Sequence, residues 1–228
     1  MKSNVLRSSR GTWVKAGTPL PVLREGGIFA TRKSNLEEFK FDNLVLASRS
    51  PRRYELLKSI GIDNFEVIAD SSEEVLTPGL SPQEQVIDLS FQKARNVKGF
   101  CTDGSLIIAA DTLVYLGSEP LGKPDSEQDA VVMLKKLSGR RHSVYTGVTL
   151  LRGSGHVSCA EKTDVYFREI SDAEIAAYIK TGEPMDKAGA YAAQGGAAAF
   201  IERVEGEFSN VMGLPLCRLT VMLKDFRA

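Results

Sequence analysis

Cysteine and histidine are scarce in this 228-residue sequence, and long apolar runs are missing. The three cysteines lie far apart with no C-x-x-C pair, which argues against a disulfide framework and favours a reducing compartment. The two histidines, His142 and His156, have no neighbours at metal-ligand spacing, which argues against a zinc site. A membrane helix needs about 20 consecutive apolar residues. No stretch approaches that length, so we expect no membrane partner.

The whole chain also lacks a bias of charge, although its beginning is basic. It holds 29 basic and 29 acidic residues, for a formal net charge of +0. Residues 1–40 contain eight of the basic and three of the acidic residues, and no acidic residue precedes Glu25. We predict that residues 1–40 form an N-terminal extension, either an organelle transit sequence or a featureless tail, in which residues 16–27 are turn and loop. Residues 41–228 then form the folded domain.

Apolar runs and helix-start signals alternate along residues 41–228, which predicts a mixed α/β sheet flanked by helices, in two lobes with a cleft between them. The sequence "RGSGH" predicts a hairpin between two long strands. The predicted strands cover residues 44–47, 65–69, 106–110, 113–116, 143–151, 162–170 and 199–206. The predicted helices follow Ser50, Ser81, Ser126 and Ser171, and the last covers about residues 214–226.

Two arginines occupy an unfavourable position, the first turn of the first predicted helix. Arg52 and Arg53 follow Ser50-Pro51, a helix-start signal, so both cations lie beside the positive end of the helix dipole. An anion bound at the N–H groups of this turn would make the arginines favourable, because a guanidinium binds phosphate oxygens through paired hydrogen bonds. Solvation, or pairing with nearby carboxylates, is the alternative. Neither a P-loop nor a G-x-G-x-x-G sequence accompanies them.

Acidic residues at two places are candidates for catalysis or metal binding. Asp111 follows the apolar run 106–110, so we expect its carboxylate where a central strand leaves the sheet, the edge at which open α/β sheets bind ligands. Glu73 and Glu74 fall in the loop after the second predicted strand. Together with Asp111, this loop offers oxygen ligands for a divalent metal. The alternatives are that Asp111 only caps a turn and that the two glutamates are only solvated.

Three lysines and a glycine-rich segment complete the candidates. Lys93 lies among apolar positions of the second predicted helix, Lys123 lies in the loop "LGKP", and Lys187 lies in "GEPMDKAGAYAAQGG", residues 182–196. That segment has too little apolar content for a core element, and a long glycine-rich loop in a compact domain is more often functional than idle. Gln194 near its end offers donor and acceptor groups suited to the edge of a base.

An ordered set of short motifs, spread from about residue 44 to 224, resembles the Maf-like nucleotide pyrophosphatases. The resemblance implies a fold similar to that of inosine triphosphate pyrophosphatases, a homodimer, and hydrolysis of a nucleoside triphosphate to the monophosphate and pyrophosphate with Mg²⁺ or Mn²⁺. The matching stretches are "LASRSPRR" at 46–53, "EE" at 73–74, "KA" at 93–94, "AADT" at 109–112, "GKP" at 122–124, "LSGRRHSVYTGV" at 137–148, "GEPMDKAGAYAAQG" at 182–195 and "VMGLPL" at 211–216.

The resemblance also assigns roles to residues of this sequence. It implies that Asp111 is the proton acceptor of the attacking water, and that Arg52, Thr112 and Gln194 set substrate specificity. Arg52, "ADT" and "DKAGAY..QG" follow the branch of the family that acts on dTTP and UTP; CTP and modified pyrimidine nucleotides remain open. Arg49 departs from the family, in which a small residue is common at this place. The positions implied to handle phosphate and metal are Ser48, Arg53, Glu74, Lys93 and Lys123.

Several alternatives remain open at this point. A non-catalytic regulator of cell division that binds nucleotides or nucleic acid is the rival function. The residues after position 40 hold 21 basic and 26 acidic side chains, whereas a nucleic-acid-binding domain is normally basic, so we expect no nucleic-acid partner. Whether Asp111 acts mainly as a base or as a metal ligand is undecided. We expect a cytoplasmic protein, with organelle import as the alternative if residues 1–40 are a transit sequence.

Overall fold

The computed structural model describes residues 5–7, 13–15, 41–69 and 75–226. The chain divides into two compact units, residues 1–35 and residues 36–228. In the first unit, strands β1 (Val5–Arg7) and β2 (Trp13–Lys15) pair in antiparallel fashion. The predicted turn and loop at residues 16–27 lie outside the described residues.

The second unit contains alternating strands and helices. Three short 3₁₀ helices, Glu183–Asp186, Ala188–Ala190 and Gly196–Phe200, lie between its fourth α-helix and its last strand. Its elements in chain order are β3 (Leu44–Ala47), α1 (Pro51–Ser59), β4 (Glu66–Val67), α2 (Pro82–Lys98), β5 (Leu106–Leu116), β6 (Glu119–Leu121), α3 (Glu127–Leu137), β7 (Arg141–Arg152), β8 (Gly155–Phe167), α4 (Asp172–Ile179), β9 (Ile201–Glu205), α5 (Phe208–Val211) and α6 (Leu216–Asp225).

One mixed sheet organises this unit. Its strand order is β4-β3-β5-β7-β8-β9, and β6 pairs with the far part of β5. The strand β3 is parallel to both of its neighbours, β4 and β5. From β5 onward, each strand is antiparallel to the next in the order β5, β7, β8, β9. The predicted fold class, a mixed α/β sheet flanked by helices, is therefore confirmed. Of the helices within the described ranges, none combines the length and the apolar character needed to cross a bilayer.

Serine caps start three of the helices as the sequence predicts. Ser81 and Ser171 each form a complete capping box, in which the serine oxygen accepts from the backbone N–H three residues on and a glutamate accepts from the serine N–H. Ser126 accepts from the Asp129 N–H at the start of α3. The serine before α1 behaves differently, because the side chain of Ser50 makes no capping hydrogen bond.

Several element boundaries differ from the prediction. The strands predicted at 106–110 and 113–116 form one continuous strand, β5, because its backbone stays paired with β7 from Ile107 to Tyr115. The strand predicted at 65–69 contracts to the two residues of β4. The final helix begins at Leu216 rather than near residue 214, and a short helix, α5, precedes it.

The hydrophobic core consists of three clusters. One packs α1 and α6 on one face of the sheet, and a second packs α2 on the opposite face. The third lies around α3 and α4 at the other end of the long strands. Ala190, Tyr191 and Ala193 belong to this third cluster, so the expectation that the glycine-rich segment contributes no core was wrong. Ala190 lies in a 3₁₀ helix that packs against α3 and β5, and the hydroxyl of Tyr191 contacts His142 of β7.

Candidate active site

A cavity of about 550 Å³ lies in the second unit, lined by residues of all three core clusters. Its walls come from the turn between β3 and α1, from α2, from the middle of β5, from the glycine-rich segment and from the turn between α5 and α6. Eight of the nine predicted site residues line it, while Glu74, like Glu73, lies outside the described residues. The eight are Ser48, Arg52, Arg53, Lys93, Asp111, Thr112, Lys123 and Gln194.

The cavity opens along one edge of β5, where its neighbouring strand ends. The parallel strand β3 pairs with β5 only as far as Ala47, which lies opposite Ala109. Pairing on that edge resumes at Val114, where β6 joins. Asp111 therefore lies in the middle of a continuous strand, with Gly147 of β7 as its cross-strand neighbour. The expectation that Asp111 stands where β5 leaves the sheet was wrong; it is β3 that ends.

A glycine in β7 brings α2 close to the sheet. A Cβ atom at Gly147 would lie 1.9 Å from the backbone oxygen of Val86, so only glycine permits this approach. Lys93 follows Val86 by about two helical turns. Its ammonium group forms an ion pair with Oδ1 of Asp111. The Asp111 side chain is 5% exposed and that of Lys93 is 22% exposed, so the carboxylate is largely withdrawn from water while the amine still reaches the cavity.

Asp111 and Thr112 point to opposite faces of the sheet, as adjacent strand residues do. Asp111 faces α2 through its ion pair with Lys93. Thr112 faces α1, where its hydroxyl oxygen accepts a hydrogen bond from Arg53 at 3.0 Å and lies 2.9 Å from the hydroxyl of Thr146. The open edge of β5 exposes both faces to one cavity, which explains how two consecutive residues contribute to the same site.

Arg53 connects three segments of the chain. It is buried, with 9% of its surface exposed. Its Nε donates to the backbone oxygen of Gly213 at 2.7 Å, and its terminal nitrogens donate to Ser48 and Thr112. The guanidinium of Arg53 is thus stabilised by hydroxyl and carbonyl oxygens of the protein.

The first turn of α1 has the features of an anion site. Ser50, the residue before the helix, donates its own N–H to the hydroxyl of Ser48 at 3.1 Å, and its side chain makes no capping hydrogen bond. The first helical N–H groups therefore have no cap from this side chain, and the residues of this turn line the cavity. Arg52, in the same turn, is half-buried at the cavity wall. Burial lowers the pKa of its guanidinium, and the charge of Glu183 opposes that shift.

Among the described residues that line the cavity, basic groups outnumber acidic groups six to three. Burial lowers the pKa of Lys187, repulsion by Arg52 and Lys123 lowers it further, and attraction by Glu183 opposes the shift. Positive charges that raise one another's energy in this way favour a polyanionic ligand. The basic residues are Arg49, Arg52, Arg53, Lys93, Lys123 and Lys187, and the acidic residues are Asp111, Glu183 and Asp186.

Sequence reasoning missed two kinds of site residue. Glu183 belongs to the quoted glycine-rich segment, but no periodic or motif signal singles out its carboxylate. Asn210 lies in α5 and Gly213 lies between α5 and α6, and both accept hydrogen bonds through their backbone oxygens: that of Gly213 binds Arg53, and that of Asn210 accepts from Thr146 at 3.1 Å. Gly213 has a positive φ of 105°, a conformation that favours glycine, so the glycine itself is the one sequence signal at this turn.

The acidic residues of the cavity offer a suitable ligand for a hard divalent cation, but the described residues do not form a complete ligand set. Asp111 offers carboxylate oxygen, the ligand type that Mg²⁺ and Mn²⁺ prefer. Its ion pair with Lys93 shows that this carboxylate is placed beside a positive charge. Within the described ranges, no three His, Cys, Asp or Glu side chains come together as a ready-made metal site. A cation bound at Asp111 would need further ligands from the substrate or from Glu73 and Glu74.

The chain is similar to proteins of known sequence and of solved structure. A "dTTP/UTP pyrophosphatase" of Methanosarcina barkeri is 50% identical over 183 residues, 79% of this chain and 92% of that protein. Its counterpart of the same name from Caldicellulosiruptor saccharolyticus is 47% identical over 186 residues, 79% of this chain and 93% of that protein. A solved HAM1 protein of Coxiella burnetii aligns with a TM-score of 0.39 at 16% identity, covering 55% of this chain and 72% of that one. The family model described as "Maf-like protein" matches residues 43–226, and the chain belongs to this family.

Proposed function

We propose that this protein is a nucleoside triphosphate pyrophosphatase that hydrolyses dTTP and UTP to the nucleoside monophosphate and pyrophosphate. The observation that carries the proposal is the buried Asp111–Lys93 ion pair at the wall of a cavity with an excess of basic side chains. The chain belongs to a family in which relatives about half identical to it bear the name dTTP/UTP pyrophosphatase. CTP and modified pyrimidine nucleotides remain within the proposed range.

The basic side chains bind the triphosphate. The uncapped start of α1 and the arginine Arg52 lie on one side of the cavity, and Lys93 and Lys123 lie on its other walls. Ser48 and Arg53 hold the turn between β3 and α1 in place through their mutual hydrogen bond of 3.2 Å. Preorganised charges of this kind stabilise the negative charge that develops during phosphoryl transfer, and one such donor is worth about 3 kcal/mol.

Asp111 is the proposed catalytic carboxylate. It orients the attacking water or accepts its proton, and Lys93 holds the carboxylate in position through the ion pair. Asp111 and Glu74 are the proposed ligands of a divalent cation, Mg²⁺ or Mn²⁺. When bound, such a cation would neutralise phosphate charge and lower the pKa of a bound water. Attack of the water on the α-phosphorus then breaks the bond to the β-phosphate bridge and releases pyrophosphate.

Three residues are proposed to recognise the base. Arg52 and Gln194 present side-chain donors at the cavity, and the amide of Gln194 also offers an acceptor. Thr112 acts at the centre of a hydrogen-bonded group, since its hydroxyl binds both Arg53 and Thr146. Thr112 therefore affects specificity by holding β5 and Arg53 in position, as well as by direct contact with the substrate.

The remaining features of the proposal concern the setting of the enzyme. We propose a homodimer that works in the cytoplasm, without a nucleic-acid or membrane partner. The balanced charge of the chain supports the absence of nucleic acid. The family resemblance is what supports the dimer, and sedimentation of the purified chain tests it.

Product analysis tests the proposed activity. Purified protein is incubated with UTP or dTTP and Mg²⁺ or Mn²⁺, and the products are separated by ion-exchange chromatography. We expect UMP or dTMP and one equivalent of pyrophosphate per turnover, and we expect chelation of the metal to stop the reaction. Release of inorganic phosphate and a diphosphate would contradict cleavage at the α-phosphorus. Tight nucleotide binding without turnover would favour the rival interpretation as a regulator.

A further inference from the structure

The turn that carries Gln194 is held at both ends by side chains from α4 and the segment that follows it. The phenol oxygen of Tyr178 accepts a hydrogen bond from the Ala192 N–H at 3.1 Å. Oε2 of Glu183 accepts from the Gly196 N–H at 2.9 Å. Between these contacts the backbone closes a turn, in which the Gly195 N–H donates to the Ala192 oxygen at 3.0 Å. Gln194 lies inside a turn that is fixed on both sides.

The two glycines after Gln194 allow Glu183 to reach the backbone. A Cβ atom at Gly195 would lie 1.6 Å from Oε1 of Glu183. At Gly196, a Cβ atom would lie 3.2 Å from the ring of Tyr178 and 3.3 Å from Oε2 of Glu183. The carboxylate therefore packs directly on the turn rather than extending into solvent. This packing gives a physical reason for glycine at positions 195 and 196.

The same carboxylate acts on Arg52. Glu183 and Arg52 both line the cavity, on different walls. The charge of Glu183 raises the pKa of Arg52 against the larger effect of burial. Among the described residues, the ion pairs within 4 Å do not include one between Arg52 and Glu183, so the attraction acts across a gap. One acidic group thus influences both of the side chains proposed to recognise the base.

We infer that Glu183 is a positioning residue for base specificity, which holds the backbone turn that carries Gln194 in place at the cavity. This inference rests on the proposed function. Uracil and thymine present two carbonyl oxygens on either side of an N–H group. Guanidinium donors match a carbonyl, and an amide matches a carbonyl beside an N–H. Cytosine replaces one carbonyl by an amino donor, which meets the Arg52 donors unfavourably. By holding the turn that carries Gln194, Glu183 therefore favours uracil and thymine over cytosine.

Substitution of Glu183 tests the inference through the ratio of kcat/KM for UTP to that for CTP. In Glu183→Ala, we expect this ratio to fall roughly tenfold or more, the effect of losing one hydrogen bond to a charged group. We expect kcat for UTP to change little, because the proposed catalytic pair, Asp111 and Lys93, lies on other elements. The fall in the ratio should therefore arise mainly from a higher KM for UTP. Glu183→Gln keeps an oxygen for the Gly196 N–H but loses the charge, so we expect a partial rescue.

Glu202→Gln is the matched control, because Glu202 is exposed on β9 and makes the same change of charge. Its UTP to CTP ratio should equal that of the wild type. Melting temperatures of all variants show whether they fold. A folded Glu183→Ala that keeps the wild-type ratio overturns the inference, and so does one that loses kcat equally for both nucleotides.

Calorimetric binding of UTP and CTP separates this inference from the proposed function. If the wild type releases no pyrophosphate but binds UTP more tightly than CTP, and Glu183→Ala loses that preference, the proposed activity fails and the positioning role stands. If the wild type turns over UTP and the Glu183 variants keep its preference in binding and in kcat/KM, only the positioning role fails.

Discussion

At the scale of single residues, burial decides what the polar groups of this protein do. Asp111 is one of few buried acidic side chains in the described structure, and its ion pair with Lys93 offsets the cost of removing its charge from water. His142 is buried without a charged partner in hydrogen-bond contact, so its neutral form is favoured. The first arrangement lies in the proposed catalytic site, and the second lies among the core rings of Phe167 and Tyr191.

Replacing Asp111 by Asn is expected to lower kcat roughly a hundredfold or more, because the amide has no basic oxygen and binds a cation weakly. KM for UTP should change little, since the basic side chains that bind the triphosphate remain. Steady-state kinetics with UTP measure both constants, and circular dichroism checks the fold. Wild-type turnover by this variant would remove Asp111 from the catalytic role.

The free energy of unfolding is expected to decrease as the pH falls, because His142 is buried. Burial lowers its pKa from 6.5 to about 4 in the folded protein, whereas the unfolded chain binds the proton near pH 6.5. As the pH falls through this range, the unfolded state takes up the proton first, so the free energy of unfolding decreases. This decrease in the free energy of unfolding amounts to about 3 kcal/mol at pH 4 and below.

Urea unfolding of the wild type and of His142→Gln between pH 7 and pH 4 isolates this effect. The difference in unfolding free energy between the two proteins should shrink as the pH falls. His156→Gln makes the same substitution at an exposed position and is the control for the substitution itself. A constant difference for His142→Gln would show that this residue does not carry the pH dependence.

At the scale of elements, the position of α2 on the sheet places the proposed catalytic pair. Gly147 lets α2 approach β7, and the ion pair between α2 and β5 forms about two helical turns further along. The turn between α5 and α6 fixes the opposite wall through the contact of Gly213 with Arg53. The site therefore depends on how closely the elements pack, as well as on which side chains they carry.

Gly147→Ala is expected to destabilise the protein by at least about 2 kcal/mol, because the added methyl group overlaps the backbone of Val86. The displaced helix carries Lys93 away from Asp111, so kcat should fall as well. Denaturant unfolding and UTP turnover measure the two effects. Gly99→Ala, at the open C-terminal end of α2, is the control and should shift stability by no more than about 0.5 kcal/mol. Equal stability of both variants would contradict the close approach.

At the scale of the whole molecule, the residues of the proposed site all fall after position 40. The described cavity lies in the unit of residues 36–228, and the family match covers residues 43–226. The boundary between a domain at 41–228 and an extension at 1–40 remains a prediction. The family match begins just after that boundary.

Removal of residues 1–40 is expected to leave kcat/KM for UTP within about twofold of the full chain, because no proposed catalytic or binding residue is lost. Comparing the two purified proteins in the same assay measures this, and their melting temperatures show whether the shortened chain folds. A shortened protein that melts normally but loses activity would place a functional residue before position 41.

The motifs of the sequence identify most of the site, and its capping boxes locate the helices. Ser48, Arg52, Lys93, Asp111 and Gln194 are found from short motifs, and all line the cavity. Local sequence did not identify Asp111 as a mid-strand residue, because its backbone pairing with β7 depends on a strand more than thirty residues away. Local sequence did not single out Glu183 either, since its carboxylate acts by accepting a hydrogen bond from Gly196, thirteen residues further along the chain.

By itself, the sequence determined most of the elements, the caps of three helices and the set of chemical groups, because these depend on periodicity and on local backbone contacts. Only the tertiary structure decided which groups meet. The end of β3 at Ala47 opens the edge of β5, Gly147 admits α2, and Arg53 binds Thr112 and Gly213. These are contacts between residues distant in the chain, and their geometry is set by the packing of the sheet with its helices.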